Sequence, residues 1–290
     1  MNQTALIQKI ALGTVQLGLP YGINNATGKP DKAEAFRILN FAYENKIQIL
    51  DTADGYGEAI KVIGNYTAET KRSFRIVNKF KIDSIPLRDK LFQSLEILKA
   101  SSLYCYMYHQ FSDYEAALRL DELKEFKRNS TISKIGVSLY GVEQLRQVIN
   151  DRDIDLIQLP SNLLDSSSEK ETLLKQAKKS GKEIHARSIY LQGLFFKDPN
   201  SLTGNLIALK PYLEKIKSIC HQHQLDIKSA ALNYVLHKEY IDYVVLGIDQ
   251  ASQLAENLSS IEESFDESAL REIAIDTNDQ YLLNPSTWKP

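Results

Sequence analysis

The stretch Ile47-Gln48-Ile49-Leu50-Asp51-Thr52-Ala53-Asp54-Gly55-Tyr56-Gly57 joins a short apolar run to an acid and then to a glycine-flanked tyrosine. Its opening residues have the composition of a strand buried in a parallel sheet, and the acid ends the run. Working outward, runs of the same kind stand at Lys9–Leu12, Phe74–Asn78, Leu103–Tyr108, Ile132–Val137, Leu156–Leu159, Glu183–Ala186 and Tyr243–Leu246. Eight buried strands are predicted. Most of the segments between them have helical spacing. Ala35, Ile38, Leu39 and Ala42 share one face behind Asp31, a predicted N-cap with Glu34 three residues on. Leu87, Leu91, Leu95 and Leu98 make a second stripe, and Val142, Leu145, Val148 and Ile149 a third. Early strand starts are roughly 25–30 residues apart, the size of a βα unit. Eight strands with a helical segment after each predict a closed (β/α)8 TIM barrel rather than an open sheet.

Composition sets the bounds. A chain of 290 residues suits one such barrel, typically ~250 residues long. No Ser/Gly-rich linker or charge block divides it, so residues 1–290 are expected to form a single domain. Hydrophobic residues make up 43% and charged residues 25%, enough for a large core under a solvated surface. A formal charge of −2 gives no electrostatic reason to expect nucleic acid. No run of 18 apolar residues occurs, and residues 1–10 lack the basic start and apolar core of a secretory signal. With only Cys105 and Cys220, a reducing cytoplasm is expected and a disulfide framework is not. Cys220-His221-Gln222-His223 falls on a predicted helix, where residues two apart do not share a face, so no metal site is expected. Oligomeric state is not legible.

In a barrel the chemistry belongs at the carboxyl ends of the strands. Asp51 ends the second run, Lys79 the third, His109 the fourth and Ser138 the fifth; Gln158 lies within the sixth, and Arg187 and Ser188 end the seventh. Polar groups from six strands thus converge on one rim. The five residues after Asp51 can fold Tyr56 back over the same mouth. Each group alone has a plainer reading: one tyrosine of 15 packs, a lone lysine is solvated, a lone histidine is hydrogen-bonded in a core. Four on consecutive strand ends weigh against that. An ammonium beside a phenol stabilises the phenolate, which makes Tyr56 near Lys79 a candidate proton donor, with Asp51 keeping Lys79 charged. An aldolase with Lys79 as Schiff-base nucleophile is a different chemistry open to such a rim.

With these residues in place, the chain resembles the aldo-keto reductase family over nearly its whole length. Leu12-Gly13-Thr14-Val15-Gln16-Leu17-Gly18 is similar to its first strand and cofactor-facing turn, which includes Gly13 and Thr14. Asp51 to Gly57 resembles its Asp-Thr-Ala-x-x-Tyr-Gly signature; Val77-Asn78-Lys79-Phe80 is similar to its lysine strand and Tyr108-His109 to its histidine strand. The resemblance implies catalysis by Tyr56, Asp51, Lys79 and His109. Tyr56 would protonate the carbonyl oxygen of a small-molecule substrate, and a reduced nicotinamide would deliver hydride. NADPH is the first expectation for cofactor and NADH the alternative.

On the cofactor side, Gly136-Val137-Ser138 resembles the strand whose serine holds the carboxamide, but Leu139 stands where asparagine is usual. Gln158 matches the second carboxamide contact. Arg187 occupies the place of a stacking tyrosine, followed by Ser188 and, on the same loop, Gln192. A guanidinium plane can stack on a ring in its stead; an ion pair with Asp51 or Asp54 is the plainer alternative. Gly247 to Asn257 resembles the adenine-end segment, with Gln253 where many relatives carry arginine, so strong NADPH selectivity is not expected. No Gly-x-Gly-x-x-Gly follows the first strand, which excludes the Rossmann scheme. Substrate walls are expected from Pro20–Lys29, Gln110–Tyr114, Tyr190–Asn205 and a tail bringing Trp288 over the mouth. A regulatory protein that senses nicotinamide on the same barrel is the rival to an enzyme.

Overall fold

The computed structural model describes residues 2–25, 28–165, 167–270, 273 and 281–289. Eight parallel strands close into a barrel in chain order: β1 (Ile10–Gly13), β2 (Ile49–Ala53), β3 (Arg75–Phe80), β4 (Leu103–Tyr108), β5 (Ile132–Ser138), β6 (Leu156–Pro160), β7 (Glu183–Arg187) and β8 (Tyr243–Gly247). Closure is made by β1 on β8, with Gly13 opposite Gly247.

Two strands differ from the sequence expectation in a way that matters. Asp51 and Lys79 lie inside β2 and β3 rather than after them. A strand turns alternate residues inward, and Ile49, Val77 and Leu156 belong to a compact cluster with Ala11, Cys105, Met107 and Val245. Asp51, Lys79 and Gln158 each lie two residues further on, so they continue the same inward rows. An ionisable residue facing its partners inside the barrel does not end a strand.

The larger core packs between the barrel and the helices. Helix Lys32–Glu44 buries Ala35, Ile38, Leu39 and Ala42, and helix Leu87–Leu98 buries Leu87, Leu91, Leu95 and Leu98. Helix Val142–Val148 buries Leu145 and Val148, while Val142 is half-buried. These are the expected stripes. Asp31 does cap its helix, accepting from the Glu34 amide at 2.8 Å. Glu34, however, does not close the capping box; its carboxylate reaches across to the Ala251 amide.

The connection from β7 to β8 holds short 3-10 turns and two helices, Lys210–Gln222 and Ile227–Leu236. Cys220 is buried on the first, while His221 and His223 are exposed. At the amino ends of the strands, Glu183 accepts from the Tyr104 hydroxyl at 2.6 Å, meets His185 Nε2 at 2.8 Å and pairs with Lys134. Burial opposes the charge on Glu183, but these partners outweigh it and draw its pKa down to about 2. Among the described residues, no helix is long and apolar enough to cross a membrane.

Candidate active site

Backbone pairing runs one residue past several strand ends, which fixes where the rim begins. Thr14 N donates to Asp51 O at 2.9 Å, His109 N to Phe80 O at 2.9 Å, and Leu139 N to Gln158 O at 2.7 Å. Above this rim lies a cavity of about 730 Å³. Every site residue expected from the sequence lines it. Asp51, Tyr56, Lys79 and His109 line it together with Ser138, Gln158, Arg187, Ser188 and Gln192, and with Gly13, Thr14, Gly247, Gln253 and Asn257; Gly13 and Thr14 lie directly against Asp51.

The densest part is a buried pair. Lys79 Nζ donates to Asp51 Oδ1 at 2.5 Å and to Gln158 Oε1 at 3.1 Å, and Gln158 Nε2 donates to Asp51 Oδ2 at 2.7 Å. The three form a closed ring. A carboxylate only accepts and an ammonium only donates, so they fix which way the Gln158 amide points. The Lys79 and Asp51 side chains are 2% and 4% exposed, where an unpaired charge would be severely penalised. Burial opposes the lysine charge, yet Asp51 and Tyr56 outweigh it and hold Lys79 above the ordinary lysine range.

Tyr56 reaches this pair from the loop after β2. Its amide donates to Ala53 O at 3.0 Å, and its carbonyl accepts from Ala59 N at the start of helix Ala59–Thr70. The Lys79 ammonium sits 5.2 Å from the centre of the Tyr56 ring. The His109 ring meets Tyr56 edge-on, 5.9 Å between centres and 84° between planes. Burial, then the Lys79 charge, pushes the His109 imidazole down to a pKa of about 3, so it is neutral at ordinary pH. One cation, one phenol and one neutral imidazole therefore face a common space. That arrangement can protonate an oxygen while hydrogen-bonding it from the side.

Arg187 makes neither of the ion pairs weighed for it. Asp51 is taken by Lys79 and Gln158, and Asp54 accepts from Asn78 at 2.8 Å and Ser94 at 3.0 Å. The guanidinium instead donates to Leu139 O at 3.1 Å and Ser188 Oγ at 3.3 Å, and lies 4.3 Å over the Tyr140 ring. Leu139 itself is fully buried, so where the family pattern has a side-chain amide this chain uses a backbone carbonyl to seat Arg187.

The loop after β7 clasps the loop after β1. Gln192 Nε2 donates to the Tyr21 hydroxyl at 2.6 Å, Ile23 N to Gln192 O at 3.3 Å, and Asn24 Nδ2 to Gly193 O at 2.5 Å. Ser188, Leu191 and Gln192 all hold positive φ to make this crossing. Gln253 Oε1 accepts from Asp249 N at 3.2 Å. Asn257 lines the cavity with both amide atoms engaged: Oδ1 accepts from the Tyr190 hydroxyl and Nδ2 donates to Gln253 O at 2.7 Å.

Some expected walls are elsewhere. The segment Gln110–Tyr114 does not line the cavity. Nor does Trp288, whose indole donates to Leu282 O at 2.8 Å while Thr287 and Lys289 dock on Asn205. The tail packs beside the β7–β8 connection instead of over the mouth. Ala26, Thr27 and Pro290, parts of the same expectation, lie outside the described residues. Gln16 and Glu256, which also line the cavity, fall within the segments likened to the family's first turn and adenine end, whereas Tyr140 and Lys228 fall in neither. Gln16 sits in the quoted first-strand segment; Tyr140 had no signal, because its partner Arg187 is distant in the chain.

A nicotinamide dinucleotide fits this cavity by size and by chemistry. Ligand pockets commonly span ~300–1,000 Å³. Gln16 Oε1 and Asp249 Oδ1 are buried without hydrogen-bond partners among the described residues, and both residues line the cavity. A Cβ on Gly247 would meet the Gln16 amide at 2.4 Å, so only glycine lets that amide lie against β8.

A closed parallel barrel with a buried Lys–Asp pair, a phenol and a neutral imidazole at its carboxyl-end mouth defines a barrel protein equipped for acid–base chemistry beside a long ligand cavity. The Aldo/keto reductase family model matches residues 9–275, and the chain belongs to that family of oxidoreductases. It is 23% identical to the NADH-specific methylglyoxal reductase of Escherichia coli (strain K12) over a 320-residue alignment covering 92% of this chain and 95% of that protein. Its fold is similar to glycerol dehydrogenase from Gluconobacter oxydans, with a TM-score of 0.71 and 17% identity over 97% of this chain and 93% of that one. An aldo-keto reductase from Bacillus halodurans, solved in its holo form, is similar at a TM-score of 0.70 and 15% identity, over 95% and 90% of the two chains.

Proposed function

We propose that the protein reduces an aldehyde, ketone or sugar carbonyl to an alcohol, with a reduced nicotinamide dinucleotide held along the cavity and Tyr56 as general acid. The observation that carries this is the meeting of Tyr56, Lys79, Asp51 and His109 in one cavity of about 730 Å³ whose lining also includes Gly247, Gln253 and Asn257. When bound, the cofactor supplies the hydride. The residues do the rest. Lys79, kept charged by Asp51 and oriented by Gln158, favours the phenolate that remains after Tyr56 gives up its proton. Neutral His109 hydrogen-bonds and orients the carbonyl oxygen. Ser138, Arg187 and Ser188 position the nicotinamide end, and Gly13, Thr14, Gln192, Gly247, Gln253 and Asn257 shape the remainder. Tyr21, Tyr140 and Phe196 near the mouth offer ring faces that suit sugars and aromatic aldehydes alike.

The Schiff-base reading loses ground because a nucleophilic lysine must be neutral, and Lys79 is held charged in an ion pair. We read residues 1–290 as one domain working in a reducing, cytoplasmic setting that suits the buried free thiols Cys105 and Cys220. Resemblance puts NADPH first; the residues beside Asp249 favour NADH, as argued below. The reductase reading is tested with a panel of aldehydes, ketones and sugars, following loss of the reduced-nicotinamide absorbance. Turnover of at least one class is expected. Tight dinucleotide binding with no turnover across the panel would instead favour a sensor.

A further inference from the structure

With the reacting ring beside Tyr56 and Lys79, the stretch of the same cavity lined by Asp249, Gln253 and Glu256, at the start of helix Ala251–Ser259, is available to the adenine ribose. Past Asp249 the cavity adjoins a shallower recess of about 520 Å³, which Asp249 shares and which Glu34, Arg37 and Ala251 also line. A helix start of this kind, with free amides and a positive dipole end, is where a phosphate would sit. Here a carboxylate already sits there. Glu34 Oε1 accepts from Ala251 N at 2.6 Å, and its other oxygen holds Arg37 at 2.5–2.7 Å.

We infer that Glu34, anchored on the Ala251 amide, makes this cavity select NADH over NADPH. The inference rests on the nicotinamide reading above and deepens it. Three features bear on a 2′-phosphate. Its natural amide partner at Ala251 is occupied. Two carboxylates, Glu34 and Asp249, would stand beside a doubly charged group. Among the described residues lining this part of the cavity and the recess, the cations Arg37, Lys29 and Lys228 are paired to Glu34, Glu58 and Glu256. A ribose 2′-hydroxyl meets the opposite situation, since Asp249 Oδ1 is a buried acceptor without a hydrogen-bond partner among the described residues. The Ala251 amide is the first influence holding Glu34 ionised, ahead of Arg37, so the carboxylate keeps its charge at neutral pH. The missing arginine at position 253 weakens phosphate binding; Glu34 actively opposes it, and only the fold brings it there.

Direct titration tests this without relying on turnover. NADH and NADPH are titrated separately into the full chain, by nicotinamide fluorescence or calorimetry, for wild type, Glu34→Gln, Glu34→Ala and Asp249→Asn. Glu34→Gln keeps an acceptor for Ala251 N and so preserves the helix contact even where Glu34→Ala destabilises it. Wild type is expected to bind NADH at least tenfold tighter. Both Glu34 variants should shrink that ratio roughly tenfold or more, chiefly by tightening NADPH, as expected when a charge-assisted contact is exchanged. Asp249→Asn should weaken NADH. Wild-type affinity for NADPH equal to or above that for NADH overturns the inference, as does an unchanged ratio in both Glu34 variants. Failure of either dinucleotide to bind overturns the nicotinamide reading itself, and this one with it.

Discussion

Gly18 lies against the backbone of Tyr56 so closely that a Cβ built on it would stand 1.8 Å from the Tyr56 carbonyl oxygen and 2.6 Å from Ala59 N. The turn after β1 and the loop after β2 are thus pressed together, and Gly57, at φ +56, completes the contact with a Cβ position 2.7 Å from Gly18 O. Backbone contact between two loops thus holds the Tyr56 main chain, from which the ring extends toward Lys79.

Gly18→Ala should therefore displace Tyr56 without touching its side chain. Overpacking of this kind costs about 1–3 kcal/mol, and a misplacement on the order of 1 Å at a reacting group costs roughly 10²-fold in rate. Denaturant unfolding and kcat are to be measured together. A variant that is less stable but fully active would show that Tyr56 placement does not depend on this contact.

Tyr56→Phe keeps the ring that packs against His109 and removes only the hydroxyl. For a general acid, kcat should fall roughly 10²–10⁴-fold while dinucleotide affinity stays near wild type. Undiminished turnover in this variant would end the assignment.

His109 carries a pH signature. Its pKa falls from 6.5 to about 3 through burial and the Lys79 charge. Between those values the unfolded chain binds a proton that the folded chain refuses, so acidification drains stability, by at most about 1.4 kcal/mol per pH unit. His109→Gln removes that term. Relative to the variant, wild type should lose stability as pH drops from 6.5 towards 3, and the two should run parallel above pH 7. Parallel curves throughout would mean that His109 is not held neutral.

Arg187→Ala tests the guanidinium seated on Tyr140 and Leu139 O. If it supports the nicotinamide end, NADH and NADPH should both weaken, by roughly three- to thirtyfold for a desolvated stacking contact. Arg187→Lys should not restore them, because an ammonium lacks the planar fork. Unchanged affinity for both would leave Arg187 as a brace for the loop after β7. A loss confined to NADPH would place Arg187 at the phosphate instead.

The barrel was legible because it rests on local patterns. Runs such as Leu103–Tyr108 and stripes such as Leu87, Leu91, Leu95 and Leu98 state their partners through periodicity alone, and the structure buries those stripe residues. The rim was legible for a related reason: parallel strands in chain order bring every carboxyl end to one face, so Asp51, Lys79, His109 and Gln158 had to meet there. Where the strands end is less legible: a polar residue reads as the end of a run, whereas Asp51 and Lys79 are inward-facing members whose charges pair between the neighbouring strands β2 and β3.

The sequence by itself therefore determined the strand count, the helix faces and the set of polar groups on the mouth, because each follows from spacing within one segment. Tertiary structure alone decided the contacts between segments far apart in the chain. Arg187 found Tyr140, Gln192 found Tyr21, and the tail found Asn205 in place of the mouth. Glu34 left its own capping box for Ala251, 217 residues away. Polar side chains of this reach have several satisfactory partners. Which one each takes depends on where packing of the apolar faces leaves an unsatisfied amide, and that is a property of the closed barrel rather than of any one stretch.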